Sequence, residues 1–130
     1  MDMKLELVPV PVADVDRAKE FYVDRLGCSA DIDVRPVEGV RVVQVTPPGS
    51  ACSLGFGTGL PVYEAPPGSL RGLHLVVADI EQAREELIGR GVEVGPVQDV
   101  GGGVRHAGFT DPDGNSLTLQ EVSWRTGDRF

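Results

Sequence analysis

Residues 4 to 12 alternate apolar and polar positions at first and then become rich in Val and Pro, the period of two that marks a strand. Pro9 and Pro11 cannot donate to a ladder, so this strand is expected at an edge or in irregular pairing. Asp14 can N-cap a helix with Asp16 in its positive first turn. Ala18, Phe21, Tyr22 and Leu26 then recur at helical spacing up to a stop at Gly27, which predicts a helix over 14–27. Residues 30–36, 40–46 and 51–56 are short strand candidates between Gly/Pro turns. The order is βαβββ.

The same order comes twice. Slid so that Val12 falls on Val77, the run Val12-Ala13-Asp14-Val15-Asp16-Arg17-Ala18-Lys19-Glu20 matches Val77-Ala78-Asp79-Ile80-Glu81-Gln82-Ala83-Arg84-Glu85. The same offset lays Thr46-Pro47-Pro48-Gly49-Ser50 on Asp111-Pro112-Asp113-Gly114-Asn115. One shift serving both ends of each half marks two copies of one module. In the second copy Leu73 to Val77 is the strand, and Asp79 caps a helix over 79–90 with Gln82 at the capping-box position. Ala83, Leu87 and Ile88 give that helix a buried face, and Gly89 and Gly91 end it. Strands are expected at 92–98, 104–110 and 116–122, the last preceded by a turn with Pro112 and Gly114 where preset and positive φ are wanted. The chain divides as module 1 (4–56), a Gly/Pro-rich connector (57–72), module 2 (73–122) and a tail (123–130) that frays from Thr126 onward.

Composition narrows the classes. At 130 residues one domain is expected, and the net charge of −8 repels polyanions, so no nucleic acid is expected as a partner. No apolar run approaches the ~20 residues of a membrane span, and Met1-Asp2-Met3-Lys4 lacks a signal-peptide pattern, so no membrane partner and a cytoplasmic location are expected. Cys28 and Cys52 fall in no CxxC or zinc spacing and are expected to be small packed hydrophobes.

Three features carry a resemblance: Val12-Ala13-Asp14-Val15-Asp16-Arg17-Ala18-Lys19-Glu20-Phe21-Tyr22 followed by Leu26-Gly27, the second-copy Val77-Ala78-Asp79-Ile80, and Asp111-Pro112-Asp113-Gly114-Asn115 before the final strand. The chain resembles, from about residue 4 to 122, the vicinal oxygen chelate superfamily of glyoxalases, bleomycin-resistance proteins and dioxygenases. The resemblance implies an α+β fold, two tandem βαβββ modules forming an open curved barrel around a concave pocket. Family enzymes hold a divalent metal there with one ligand from the first and one from the last strand of each module. The first-strand ligand lies seven residues before the capping Asp and the last-strand ligand four after the turn Gly, which gives Leu7 and Gly72, then Ser53 and Thr118. None is an imidazole or carboxylate, so no metal and no cofactor are expected.

Residues two apart on a strand share a face, so the pocket lining is expected to be Leu7, Pro9, Ser53, Gly55, His74, Thr118 and Gln120, suited to an uncharged or aromatic ligand. His74, two past Gly72, and His106, sharing a face with Gly108 and Thr110, are each either ligand-gripping or acid–base groups or hydrogen-bonded structural histidines. Tyr63 in the connector and Trp124 after the last strand either stack on a flat ligand or pack the tail. Arg41, Arg71 and Arg105 either clamp an anion or are solvated or paired, and Gly101-Gly102-Gly103 forms a hairpin or pocket lip with no phosphate-loop context. The expectation is a metal-independent, glyoxalase-like binder of a small organic molecule, of resistance or sequestration type. It is expected as a homodimer, since Pro9 and Pro11 lie at a pairing edge and the family completes barrels between chains. The alternative is an enzyme: a metal-dependent glyoxalase, lyase or dioxygenase with shifted ligands such as His74 and Glu121, or a metal-free isomerase or lyase using His74 or His106 as base.

Overall fold

Asp14 accepts the backbone N–H of Arg17 at 3.0 Å, and Asp79 accepts that of Gln82 at 3.1 Å, so both helices start where the sequence places their caps. In the computed structural model, which describes residues 1–125, the order is β1 (Leu7–Pro9), α1 (Val15–Glu20), β2 (Ser29–Val34), β3 (Arg41–Thr46) and β4 (Ser53–Thr58). It then repeats as β5 (Leu73–Val76), α2 (Ile80–Gly89), β6 (Gln98–Gly101), β7 (Val104–Thr110) and β8 (Ser116–Val122). The fold is two tandem βαβββ modules, each a four-stranded mixed sheet, ordered β1-β4-β3-β2 and β5-β8-β7-β6. The fraying expected from Thr126 to Phe130 lies outside the described residues.

The chain forms two compact units: residues 1–70 with 112–115, and residues 71–111 with 116 onward. In the first, Val43, Val45, Leu54 and Phe56 point toward the helix and are buried with Ala18, Phe21 and Tyr22. The Tyr22 ring lies 5.7 Å from Phe56 and meets Phe21 edge-on at 5.1 Å. Two consecutive aromatics are buried here because α1 widens after Glu20 into a π-helical turn, Phe21–Arg25, closed by the Leu26 N–H on the Phe21 carbonyl at 3.1 Å. The single expected helix over 14–27 is therefore two stretches of different pitch. In the second unit Ile80, Ala107, Phe109, Leu117 and Leu119 form the corresponding core.

Three expectations are corrected. The strand expected at 92–98 is displaced to β6, although Val92 and Val94 are buried. The carbonyls of Val94 and Gly95 go to the Arg84 guanidinium at 3.2 and 2.7 Å instead of to a ladder, and Pro96 has no N–H to offer. Ile88, expected to be buried, is 44% exposed, because the inward stripe of α2 runs through Ile80, Ala83, Arg84 and Leu87 and has turned away by position 88. The first strand shrinks to three residues paired in parallel with β4 at the sheet edge, where Pro9 needs no donor.

Cys28 is packed as expected, whereas Cys52 is half-buried. Burial, helped by the Asp31 carboxylate, pushes the Cys28 thiol up to about 11. An aromatic disulfide reagent at pH 8 is expected to titrate Cys52 alone in the folded chain and both thiols in denaturant; rapid reaction of two thiols in the native protein would contradict this burial.

Candidate functional site

Each sheet turns one face to its helix and leaves the other free. On the helix-free face of the first sheet, strand parity sets Leu7 and Pro9 beside Ser53 and Gly55, their ladder partners, with Gln44 opposite Gly55 on the other side. The Leu7 side chain lies against Gly55, where a Cβ would come within 3.0 Å of its Cδ1. Tyr63, in a 3₁₀ turn at Pro61–Tyr63, lays its ring where a Cβ on Gly57 would stand. Burial raises the Tyr63 phenol above its ordinary range, which keeps it neutral. The glycines of β4 thus make room for one aliphatic and one aromatic side chain. A polar chain completes this face: Thr46 donates to Asp31, and the Thr46 and Ser53 hydroxyls are 2.7 Å apart.

In the second unit the ladder sets His74 beside Thr118 on β8, and on β7 Gly108 opposite Thr118 and His106 opposite Gln120. The two imidazoles meet edge-on with ring centres 5.2 Å apart. The His106 Nε2 pairs with the Gln120 Oε1 at 2.9 Å, and the His74 Nδ1 bonds to the Gly72 carbonyl. Trp124 sits at the β6–β7 hairpin, where its indole N–H donates to the Gly102 carbonyl at 3.3 Å and the Arg125 guanidinium lies 5.4 Å from its ring centre.

The paired arginines lie elsewhere. Arg41 is clamped by two bonds to Asp33, at 3.0 and 2.9 Å, and by one to Asp16 at 2.7 Å. Arg41 and then Lys19 hold the Asp33 carboxyl well below the usual carboxylate range, and Asp33 in turn raises Arg41 further. Arg105 grips Glu121 at 2.9 and 2.8 Å and is raised by it, while Glu121 also accepts the Ile80 N–H at the start of α2. Of the expected anion clamps, Arg41 and Arg105 are therefore paired on the helix side of their sheets. A polar cleft lined by Asp14, Asp16, Arg35 and Arg41 lies at the N-terminal end of α1, and an apolar one lined by Ile88, Val92 and Val94 at the far end of α2; apart from Arg41, neither includes an expected site residue.

The ladders place the metal positions differently from the spacing. Leu7 stands opposite Ser53, and the residue in the same relation to Thr118 is His74, with Gly72 two residues short of it. The first copy spends two more residues than the second between its strand and its helix cap: Val10 and Val77 both donate to the last strand, but their caps are Asp14 and Asp79. The quartet is then a leucine, a serine, a histidine and a threonine, and this donor set does not fit a catalytic divalent ion. Glu121, the suggested shifted ligand, points away from His74 to the helix side, where Arg105 and the Ile80 N–H occupy it. Among the described residues no three His, Cys, Asp or Glu side chains gather as a metal-holding group.

The family model of the Glyoxalase/Bleomycin resistance protein/Dioxygenase superfamily matches residues 4–119, and the chain belongs to that superfamily. Among solved structures, TnmS3, an antibiotic binding protein from Streptomyces sp. CB03234, is 38% identical with a TM-score of 0.81 over 94% of this chain and 98% of that one. A glyoxalase/bleomycin resistance protein from the same Streptomyces is 40% identical (TM-score 0.75; 89% and 98% covered). A superfamily member from Sphaerobacter thermophilus DSM 20745 is 32% identical (TM-score 0.77; 92% and 98% covered). No curated protein matches the chain. No helix among the described residues is long and apolar enough to cross a membrane.

Proposed function

We propose that this chain is a metal-independent member of the superfamily that binds a small organic molecule, as a resistance or sequestration protein would, through the helix-free faces of its sheets. The observation that carries the reading is the donor set at the metal positions: Leu7 with Ser53, and His74 with Thr118. The binding residues are Leu7, Pro9, Ser53, Gly55 and Tyr63 in the first unit, and His74, His106, Thr118, Gln120 and Trp124 in the second. Similarity to an antibiotic binding protein supports binding over turnover. The protein works as a homodimer in the cytoplasm, where its cysteines stay free; a monomer by sedimentation at micromolar concentration would count against the dimer.

The test uses naphthol as a neutral aromatic probe. EDTA-treated protein is expected to bind it as untreated protein does, and His74→Ala to weaken binding about five-fold, the worth of one neutral hydrogen bond. His74 is exposed, so its loss leaves the fold intact. Stoichiometric transition metal in the purified protein, or binding that EDTA abolishes, would overturn the reading. A metal-free isomerase or lyase is the second reading, favoured by one observation: the bond from His74 Nδ1 to the Gly72 carbonyl leaves Nε2 as the basic nitrogen of the neutral ring. Turnover that survives EDTA and is lost in His74→Ala would establish it.

A further inference from the structure

We infer that these faces are wired to accept hydrogen bonds, so that the ligand is an aromatic or otherwise apolar molecule docking through O–H or N–H donors, and not through a carboxylate or phosphate; this rests on the binding reading above. The direction of the wiring follows from proton counting. The Thr46 hydroxyl donates to Asp31, which also accepts from Ser29 at 3.0 Å. A threonine has one hydroxyl proton, and Asp31 takes it. Across the 2.7 Å contact between Thr46 and Ser53, Ser53 must therefore be the donor. Its single proton is spent inward, and its lone pairs are what it offers beside Leu7.

The second unit reaches the same polarity by a different route. A carbonyl oxygen only accepts, so the bond between His74 Nδ1 and the Gly72 carbonyl puts the proton on Nδ1 and leaves Nε2 of the neutral ring as an acceptor. His106 carries no such direction, since the Gln120 amide bonded to it can turn either end toward the ring. An anion would meet a lone pair at Ser53 on the first face and at His74 on the second. The strand arginines cannot compensate, because Arg41 and Arg105 lie on the helix sides and are held by carboxylates. On either face a hydroxyl or N–H donor instead completes the bond that Ser53 or His74 leaves open, and on the first Leu7 and Pro9 receive an apolar body.

The experiment titrates the full chain with naphthol, methoxynaphthalene and naphthoate, following the signals of Ser53 and His74 by NMR. Naphthol is expected to bind about five-fold tighter than the ether, with naphthoate weaker than both. In Thr46→Val the Ser53 proton is released to turn outward, so the preference of naphthol over the ether is expected to fall. A purely structural role for Thr46 would weaken both probes alike. Should Thr46→Val fail to fold, Ser53→Ala is expected to weaken naphthol and leave the ether unchanged. Equal or tighter binding of the ether or of naphthoate, or an unchanged preference in the variant, would overturn the acceptor wiring and leave the binding reading standing. Failure of all three probes to bind would overturn both.

Discussion

Phe56→Ala is expected to cost about 3–5 kcal/mol, the range for removing a fully buried aromatic ring, out of a total stability on the order of 5–15 kcal/mol. Phe56 is completely buried in β4 and stacks on Tyr22, which in turn meets Phe21. The π-helical turn holds both of those rings in place, so the surroundings have little freedom to collapse into the cavity. The same strand carries Ser53 and Gly55 on its opposite face, so naphthol affinity is expected to fall only as far as the folded fraction falls. Denaturant midpoints at unchanged m-value measure the loss; a cost below about 1 kcal/mol would mean that the aromatic stack is not what anchors α1 to its sheet.

Most of this fold could be read from the sequence because its cues are local. Asp14 and Asp79 each signal their helix within three residues, and strand parity assigns 53 and 55, or 118 and 120, to one face without any tertiary knowledge. What escaped depends on partners distant in the chain or on the choice of ruler. Val92 and Val94 alternate as a strand does, yet their segment is claimed by Arg84 from the preceding helix. Counting back from a helix cap selects Gly72, whereas the ladder selects His74, because the loop between strand and cap differs in length between the copies. The Asp31–Thr46–Ser53 chain does have a signal in the sequence: strand parity places Ser53 on the helix-free face, and Thr46 ends the neighbouring strand. The position of Tyr63 over Gly57 had no local signal, since it arises from the path of the connector.

The Asp111-Pro112-Asp113-Gly114-Asn115 motif has the turn geometry expected of it, with Gly114 at φ 92°, but its polar side chains carry a second role. Asp113 accepts the Ala13 N–H at 3.0 Å and an Arg17 N–H at 2.9 Å, which fixes the approach to α1. Asn115 is fully buried; its Nδ2 donates to the Pro11 carbonyl at 2.8 Å and its Oδ1 accepts the Leu70 N–H at 3.0 Å. One amide thus bonds the segment after β1 and the end of the connector. Asn115→Ala is expected to cost about 2–3 kcal/mol, since two bonds are lost in a place from which water is excluded. Asn115→Asp preserves the shape but sets a carboxylate oxygen against the Pro11 carbonyl. Burial and that repulsion raise the folded-state pKa of the new carboxyl above its unfolded value near about 3.9, so its cost grows as pH rises through that window. Denaturation of Asn115→Asp at pH 5 and pH 8 is therefore expected to show the larger loss at pH 8. Equal losses at the two pH values, or a cost for Asn115→Ala within about 0.5 kcal/mol of a surface substitution, would show that the motif acts only as a turn.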